Sequence, residues 1–233
     1  MKAKLFLILA PLMMLCFAVS AAHATLQDDV DQAVSIIERF EEIPETAIPP
    51  AVMRDAKGLA ILTITKAGFI VSGRGGTGIV ISRTDSGWSG PSAIGTGGIG
   101  VGFQAGMQVS EYVIVLNTQE AINAFAKGGN VTLGANLSAA LGPVGRSAEV
   151  SVSPQAALYT YSRSQGIFAG VSLEGTVIGT RYEANEEYYG RPVYPSDILS
   201  GKEAPPAGAQ KLLALLARYP AQNPVNKGEG DVR

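Results

Sequence analysis

The 233-residue chain carries 18 basic and 20 acidic side chains, with one histidine and one cysteine. This slight acidic excess argues against nucleic acid as a partner, because nucleic-acid-binding domains usually have a strong basic excess. His23 and Cys16 both lie in the N-terminal leader described next. Histidine-dependent catalysis, thiol nucleophiles and zinc sites are therefore excluded from the chain that follows the leader.

The N-terminus predicts a secretory signal peptide over residues 1–24. Two lysines precede an apolar run from Leu5 to Val19, which is short for a membrane span, and an Ala-His-Ala cleavage site follows. Cleavage before Thr25 would give an exported protein, which we expect to be periplasmic or envelope-associated. A retained anchor helix is the alternative. Lipidation at Cys16 is disfavoured because Leu15 stands where a small residue is expected.

The first element predicted after the leader is an amphipathic helix from Leu26 to Ile43. Its apolar residues share one half of the helical wheel, and most of its charged residues lie on the other half. The apolar half could pack on the protein's own core or on a membrane surface, although membrane-seeking helices normally carry Lys and Arg on the polar side. Three prolines interrupt the pattern, and Pro50 is suited to open a short helix that runs to Ala56.

From residue 58 onwards the chain is rich in Gly, Val, Ile and Thr, which predicts strands. We place the first group of strands near 59–65, 69–73, 77–83, 92–106 and 109–116. Turns are predicted at 66–68, 73–76 and 84–87. A helix with Asn117 as its N-cap and Lys127-Gly128-Gly129 at its end comes next. A second group of strands is predicted near 130–139, 147–153, 156–163, 167–173 and 175–182.

The last predicted helix runs from Ala209 to Tyr219, and the tail over 220–233 is expected to be disordered. Short connections between the strands favour antiparallel pairing. No linker divides the chain, so residues 25–219 are predicted to form a single α+β domain. Its glycine-rich antiparallel β-sheet or barrel would be flanked by the N-terminal and C-terminal amphipathic helices.

Two glycine patterns, at 73–78 and 95–100, match the dinucleotide-binding fingerprint literally. That fingerprint needs a helix after the glycines, and both patterns run into strand-like sequence, so no nucleotide is expected. Gly98, Gly100 and Gly102 alternate, and they would leave a strip without side chains on one face of a strand. Another element of the same domain could approach this strip closely, or a lipid chain or small ligand could do so.

Several motifs follow one another at separations typical of a known family. They are Trp-Ser-Gly-Pro-Ser-Ala at 88–93, Leu-Gly-Pro-Val-Gly-Arg at 141–146, Tyr-Thr-Tyr-Ser-Arg-Ser-Gln-Gly-Ile-Phe-Ala-Gly at 159–170, Leu-Glu-Gly at 173–175 and Asn-Glu-Glu-Tyr-Tyr-Gly at 185–190. Over roughly residues 50–217 the chain resembles the SYLF family of lipid-binding domains. The resemblance implies binding rather than catalysis, with no cofactor, metal or catalytic residue.

Eukaryotic members of that family are attached to SH3 or FYVE modules, and they bind phosphoinositides and in some cases actin. This chain differs from them by its predicted signal peptide. The resemblance therefore implies a bacterial envelope protein that meets phospholipid or an anionic membrane surface, and actin is an unlikely partner for an exported protein.

Five basic residues are candidates for binding a lipid phosphate. Arg146 and Arg163 lie within the family motifs, and Lys66, Arg74 and Arg83 lie at or beside predicted turns. A guanidinium can hold two phosphate oxygens at once. The alternative for the two motif arginines is a structural salt bridge or a carbonyl cap. For the other three it is ordinary solvation.

Together these features predict a non-enzymatic protein that binds phospholipid through a local basic patch and an apolar surface. The alternative is an envelope scaffold that binds another protein without binding lipid. A hydrolase that uses carboxylates is less favoured, because neither pair of adjacent glutamates resembles a catalytic pair held across a cleft.

Overall fold

The computed structural model describes residues 24–42, 47–133, 139–141, 156–166 and 176–221. The helices in these ranges are α1 (Leu26–Glu41), α2 (Pro50–Asp55), α3 (Gln119–Ala126), α4 (Tyr182–Tyr189), α5 (Pro195–Leu199) and α6 (Gln210–Leu216). The strands are β1 (Gly58–Thr84), β2 (Gly87–Trp88), β3 (Ser92–Leu116), β4 (Asn130–Thr132), β5 (Ala139–Leu141), β6 (Leu158–Gly166) and β7 (Val177–Thr180). The predicted α+β class is confirmed, as a curled and mainly antiparallel sheet with helices packed on it.

One long hairpin dominates the sheet. β1 has 27 residues and β3 has 25, and they pair antiparallel along most of their length. The turn predicted at 84–87 is confirmed, and Gly87 has a φ of 121°, which favours glycine. The turns predicted at 66–68 and 73–76 are wrong, because both segments continue within β1.

The glycines of β1 allow the strand to cross over itself. A Cβ built on Gly78 would lie 2.1 Å from the carbonyl oxygen of Ile61, and one built on Gly76 would lie 2.3 Å from that of Thr63. Distances this short leave room only for a hydrogen atom, so the two halves of β1 pack backbone against backbone. The glycine tract that resembled a turn instead folds the hairpin over, which gives the sheet an inner face.

Side-chain alternation gives β1 and β3 two buried faces. Even-numbered residues such as Leu62, Val80 and Ile114 form the inner face and pack with one another and with α3. Odd-numbered residues such as Ile61 and Val113 form the outer face, which packs against α1, α2 and α6. The apolar half of α1 is buried in this outer cluster. Of the two partners considered for that helix, the protein's own core is therefore the one observed.

The remaining strands extend the sheet from β3. β6 and β7 pair with β3 antiparallel, β4 pairs with β7, and β5 pairs with β6 in parallel. The parallel pair departs from the expected antiparallel order because 142–157, between β5 and β6, is long enough for a crossover. The strands predicted at 147–153 and 167–173 lie outside the described residues, as does the predicted tail beyond residue 221.

Two details of the helices differ from prediction. The N-cap of α3 is Thr118 rather than Asn117, because the Thr118 hydroxyl accepts a hydrogen bond from the N–H of Ala121 at 3.2 Å. The Asn117 side chain instead donates to the carbonyl of Ala156. Neither α4 nor α5 was predicted. Both are short, and α4 buries only Ala184 and Asn185, so its sequence has little helical periodicity.

Candidate functional site

The five predicted phosphate-binding residues do not share one surface. Arg83 and Arg163 occupy odd positions of β1 and β6, on the outer face, next to the residues that pack against the helices. Lys66 and Arg74 occupy even positions of β1, on the inner face. Arg146 lies outside the described residues. The structure therefore places Arg83 on a different face of the sheet from Lys66 and Arg74.

Arg83 acts as a carbonyl cap. Its Nε donates to the carbonyl of Ala56 at 3.1 Å. Its Nη2 donates to the carbonyls of Met53 and Tyr219, at 3.2 Å and 3.0 Å. The guanidinium also lies 4.2 Å from the centre of the Trp88 ring, and burial lowers the pKa of Arg83. These contacts join β1 to α2, β2 and the C-terminal end of the domain.

Arg163 holds the end of α1. Its Nη1 donates to the carbonyl of Arg39, and its guanidinium lies 5.9 Å from the centre of the Phe40 ring. Arg39 in turn forms a two-point ion pair with Glu111, with distances of 2.6 Å and 3.1 Å. Carbonyls in the last turn of a helix have no partner within the helix, and a cation satisfies them well. This contact is the carbonyl cap considered for Arg163.

Arg74 lies over the predicted glycine strip. It stands opposite Gly98 in the β1–β3 ladder, and a Cβ built on Gly98 would lie 3.0 Å from Arg74 Nε and 3.7 Å from its Cζ. The missing side chain at Gly98 thus lets the guanidinium approach β3 closely. Five ion pairs occur within the described ranges, and none of them involves Arg74. Gly100 and Gly102 continue along β3 from this point.

Polar side chains on β3 continue the same inner face. Gln108, Ser110 and Tyr112 are only 1%, 2% and 0% exposed. Gln108 Nε2 donates to Ser110 Oγ at 3.2 Å, and Ser110 Oγ lies 2.9 Å from Ser164 Oγ on β6. We call the five residues Arg74, Gln108, Ser110, Tyr112 and Ser164 the inner polar cluster.

Two buried atoms of the inner polar cluster have no hydrogen-bond partner. They are Gln108 Oε1 and the hydroxyl oxygen of Tyr112. Burial raises the pKa of Tyr112, and the Ser110 hydroxyl and the charge of Arg74 offset part of that rise, so Ser110 lies beside the Tyr112 hydroxyl without forming a hydrogen bond of ordinary geometry. Most buried polar atoms in native proteins are paired, so unpaired atoms mark a place where water or a ligand can bind.

The inner polar cluster runs from solvent into the core. Gly98 and Ser164 are exposed and Arg74 is half-buried, whereas Tyr112 is fully buried. Tyr112 stands opposite Leu62, which belongs to the apolar part of the inner face. The inner polar cluster thus combines an exposed edge at Gly98 and Ser164 with polar side chains that are almost fully buried.

The sequence did not identify Gln108, Ser110 and Tyr112 as site residues. A usable signal was present in β3, where the even positions change from apolar at 114 and 116 to polar at 108 and 110. That signal becomes specific only when the register places these positions on the same face as Arg74. The register follows from the pairing of β1 and β3 in one long hairpin. The sequence analysis did not predict this hairpin, because it placed turns within β1.

A set of three polar side chains joins α1 to the outer face of the sheet, and the sequence analysis did not identify it either. The Thr77 hydroxyl donates to Asp29 Oδ1 at 2.6 Å, and Arg181 Nη1 donates to Asp29 Oδ2 at 2.7 Å. Burial raises the pKa of Asp29 to about 6, although both partners lower it. Asp29 lies three residues after Leu26 and four before Ala33, which places it on the apolar half of α1.

A shallow depression of about 470 Å³ lies beside Arg181, lined mainly by glycine and threonine residues of β1, β3 and β7. Arg181 is already paired with Asp29 there, so this depression offers less free charge than the inner polar cluster.

Among the residues that the structure describes, no group of His, Cys, Asp or Glu side chains could hold a metal ion. No helix in the same ranges has both the length and the hydrophobicity needed to cross a membrane.

A family model described as "Ysc84: Las17-binding protein actin regulator" matches residues 97–219, from within β3 to just beyond α6. The chain belongs to this family. The SYLF resemblance drawn from the motifs is thereby confirmed. The inner polar cluster of this Ysc84-family chain spans the boundary of the match, because Arg74 precedes the matched segment and the other four members lie within it.

Relatives in the Ysc84 family are similar over most of this chain. SH3 domain-containing YSC84-like protein 1 of Homo sapiens is 47% identical over 204 residues, which cover 84% of this chain and 60% of that protein. An SH3 domain-containing protein of Schizosaccharomyces pombe is 44% identical over 203 residues, which cover 83% and 47%. LAS seventeen-binding protein 3 of Saccharomyces cerevisiae is 42% identical over 217 residues, which cover 88% and 47%. The chain thus spans about half to three fifths of these relatives, whose names describe binding and SH3-containing proteins.

Proposed function

We propose that this Ysc84-family protein binds an anionic phospholipid through the inner face of its curled sheet and catalyses no reaction. The observation that carries the proposal is the setting of Arg74. It is a half-buried cation without an ion-pair partner among the described residues, and it lies against the exposed Gly98. A guanidinium in such a setting can hold phosphate oxygens in two-point contact.

The apolar part of the inner face supports the same proposal. Leu62 and Ile64 are buried on the face that carries Arg74, so a phosphate at the rim would stand next to an apolar interior. Ligand sites commonly combine an apolar lining with a few placed polar groups. A phospholipid, with its charged head and acyl chains, matches this arrangement.

Co-sedimentation with phosphatidylglycerol and phosphatidylcholine vesicles tests the proposal. We expect the wild type to pellet with the anionic vesicles only, and Arg74→Ala to bind about tenfold more weakly, because it loses one charge-assisted contact. Arg191→Ala is the matched control, since it removes the same charge from a side chain that is 61% exposed and lies outside the inner face. Wild-type protein that stays in the supernatant with both lipids would refute lipid binding.

A protein-binding scaffold is the second candidate. It is favoured by the family description and by the name LAS seventeen-binding protein 3, both of which refer to binding another protein. The same sedimentation assay separates the two candidates, because a scaffold has no reason to pellet with protein-free vesicles. If Arg74→Ala and Arg191→Ala bind the vesicles equally well, the overall charge of the protein and not its inner face determines lipid binding.

The proposal includes export, with cleavage before Thr25. Thr25 is the N-cap of α1, where its N–H donates to Asp28 Oδ2 at 3.0 Å and its hydroxyl accepts from the Asp28 N–H at 3.1 Å. Cleavage there would leave the cap on the helix and place the protein in the envelope, among phospholipids. The intact mass of protein recovered from an envelope fraction tests this. A mass that still includes residues 1–24 would contradict it.

A further inference from the structure

The shallow depression beside Arg181 has a floor without side chains. Four residues stand directly opposite one another on neighbouring strands and therefore share the outer face of the sheet. They are Thr77 on β1, Gly95 on β3, Gly179 on β7 and Asn130 on β4. A Cβ built on Gly97, the next residue of β3 on this face, would meet no described atom nearer than 4.0 Å. Glycine weakens a strand, and its presence often marks a close approach by another group, so this open floor indicates a place that a ligand can enter.

Two polar side chains lean over the floor from different strands. A Cβ built on Gly95 would lie 3.0 Å from Arg181 Cδ, and one built on Gly179 would lie 3.0 Å from Asn130 Oδ1. The Cβ positions of two opposed residues are about 5 Å apart, and both polar side chains line the depression of about 470 Å³. The guanidinium and the amide both carry N–H donors, so one bound molecule that offers several acceptor oxygens can contact both.

The segment before α1 occupies part of the hydrogen-bonding capacity of Arg181. Its Nη1 donates to Asp29 Oδ2 at 2.7 Å, and its Nη2 donates to the carbonyl of Ala24. Ala24 is the last residue of the predicted leader. Cleavage before Thr25 would remove this carbonyl and leave Nη2 available on a side chain that is 21% exposed.

Cleavage would also change the charge beside the depression. The backbone N–H of Thr25 donates to Asp28 Oδ2 at 3.0 Å, and it would become part of a mainly protonated α-amino group at neutral pH. With the leader attached, one cation, Arg181, accompanies the two carboxylates of Asp28 and Asp29. After cleavage two cations accompany them. The local excess of negative charge, which repels an anion, is thereby removed.

We propose that the depression beside Arg181 binds the phosphate group of a small polar molecule and that cleavage before Thr25 opens this site. Arg181 Nη2 and the Asn130 amide donate to the phosphate oxygens. The lining favours a water-soluble ester over a lipid, because Val177 is its one apolar side chain larger than glycine. The site lies on the outer face, apart from the proposed lipid-binding face, and its opening rests on the proposed cleavage.

Calorimetry on two defined forms of the protein tests the opening of the site. One form begins at Thr25, and the other retains residues 22–24. We expect glucose 6-phosphate to bind the second form about tenfold more weakly, because the Ala24 carbonyl then occupies Arg181 Nη2. Glucose, which lacks the phosphate, should bind neither form. Equal affinity of glucose 6-phosphate for the two forms would refute the opening by cleavage.

Asn130→Ala and Gly97→Val test the site itself in the form that begins at Thr25. Asn130 is exposed, and the Cβ added at position 97 meets no described atom within 4.0 Å, so circular dichroism should show folded protein for both. Each variant should bind glucose 6-phosphate about tenfold more weakly, through loss of a donor or filling of the floor. Asn123→Ala is the matched control and should change nothing, because Asn123 is exposed on α3 and does not line the depression.

Phosphatidylglycerol vesicles separate this site from the proposed lipid binding. All three variants should bind the vesicles as the unchanged protein does. If Asn130→Ala and Gly97→Val keep full affinity for glucose 6-phosphate, the site is refuted while the proposed function stands. If both variants lose vesicle binding together with glucose 6-phosphate binding, the phosphate belongs to a lipid head group and the assignment to a small polar molecule is wrong.

Discussion

Replacing Gly78 by alanine tests whether β1 crosses over itself. The added methyl carbon would lie 2.1 Å from the carbonyl oxygen of Ile61 and 2.6 Å from both Cα and Cβ of Leu62. The atoms that it meets are mostly backbone, so no flexible side chain can move aside, and the two halves of the strand must separate by about 1 Å. Overpacking a core costs about 1–3 kcal/mol and occasionally more, and two backbone contacts place Gly78→Ala at or above the upper end.

A loss of about 3 kcal/mol corresponds to a fall in melting temperature of roughly 6–12 °C for a domain of this size. Thermal and urea unfolding followed by circular dichroism measure it. Gly97→Ala is the matched control, because its methyl group would meet nothing closer than the Arg74 carbonyl oxygen at 4.0 Å. This variant should stay within about 1 kcal/mol of wild type. If the two variants melt within 2 °C of each other, the self-crossing of β1 is wrong.

Two further changes probe the outer face. Burial raises the pKa of Asp29 from 3.8 to about 6, so its contribution to stability is fully present below pH 3.8 and is lost as the pH rises through about 6. Wild type should therefore lose up to about 3 kcal/mol relative to Asp29→Asn between pH 4 and pH 7 in urea unfolding, and parallel pH profiles would contradict this. Arg83→Leu should lower stability by roughly 2–4 kcal/mol, because three carbonyls lose their donor, and should leave vesicle binding of the folded protein unchanged. If Arg83→Leu binds vesicles more weakly at unchanged stability, Arg83 contributes to lipid binding.

The helices show which structural features the sequence alone could predict. The apolar half-wheel after Leu26 and the proline at position 50 are local signals, and both helices occur where these signals place them. The helix before Gly128 and Gly129 ends as predicted, at glycines with φ values of 68° and 93°. Local periodicity and capping are sufficient in these cases, because the features that begin and end each helix lie within a few residues of it.

The hairpin shows why the rest could not be predicted. Gly73-Arg74-Gly75-Gly76 has the composition of a turn, yet Gly76 lies within β1, where another part of the same strand packs against it. That other part of the strand lies more than ten residues away in the chain, and no local sequence pattern indicates the contact. The candidate site could not be predicted for the same reason. Arg74 was identified as a candidate from its residue type, but Gln108 and Tyr112 join it only through the register and the folding-over of the sheet.

The family match begins at residue 97, inside β3, and so it divides the long hairpin. A shortened chain starting there would retain β6 and β7 but would lack all of β1. The buried row from Tyr112 to Leu116 would then lose its antiparallel neighbour on one side and the helix α1 above it. The smallest autonomous folding unit must therefore be larger than the segment by which the family is recognised. Expression of residues 97–219 alone should yield insoluble protein.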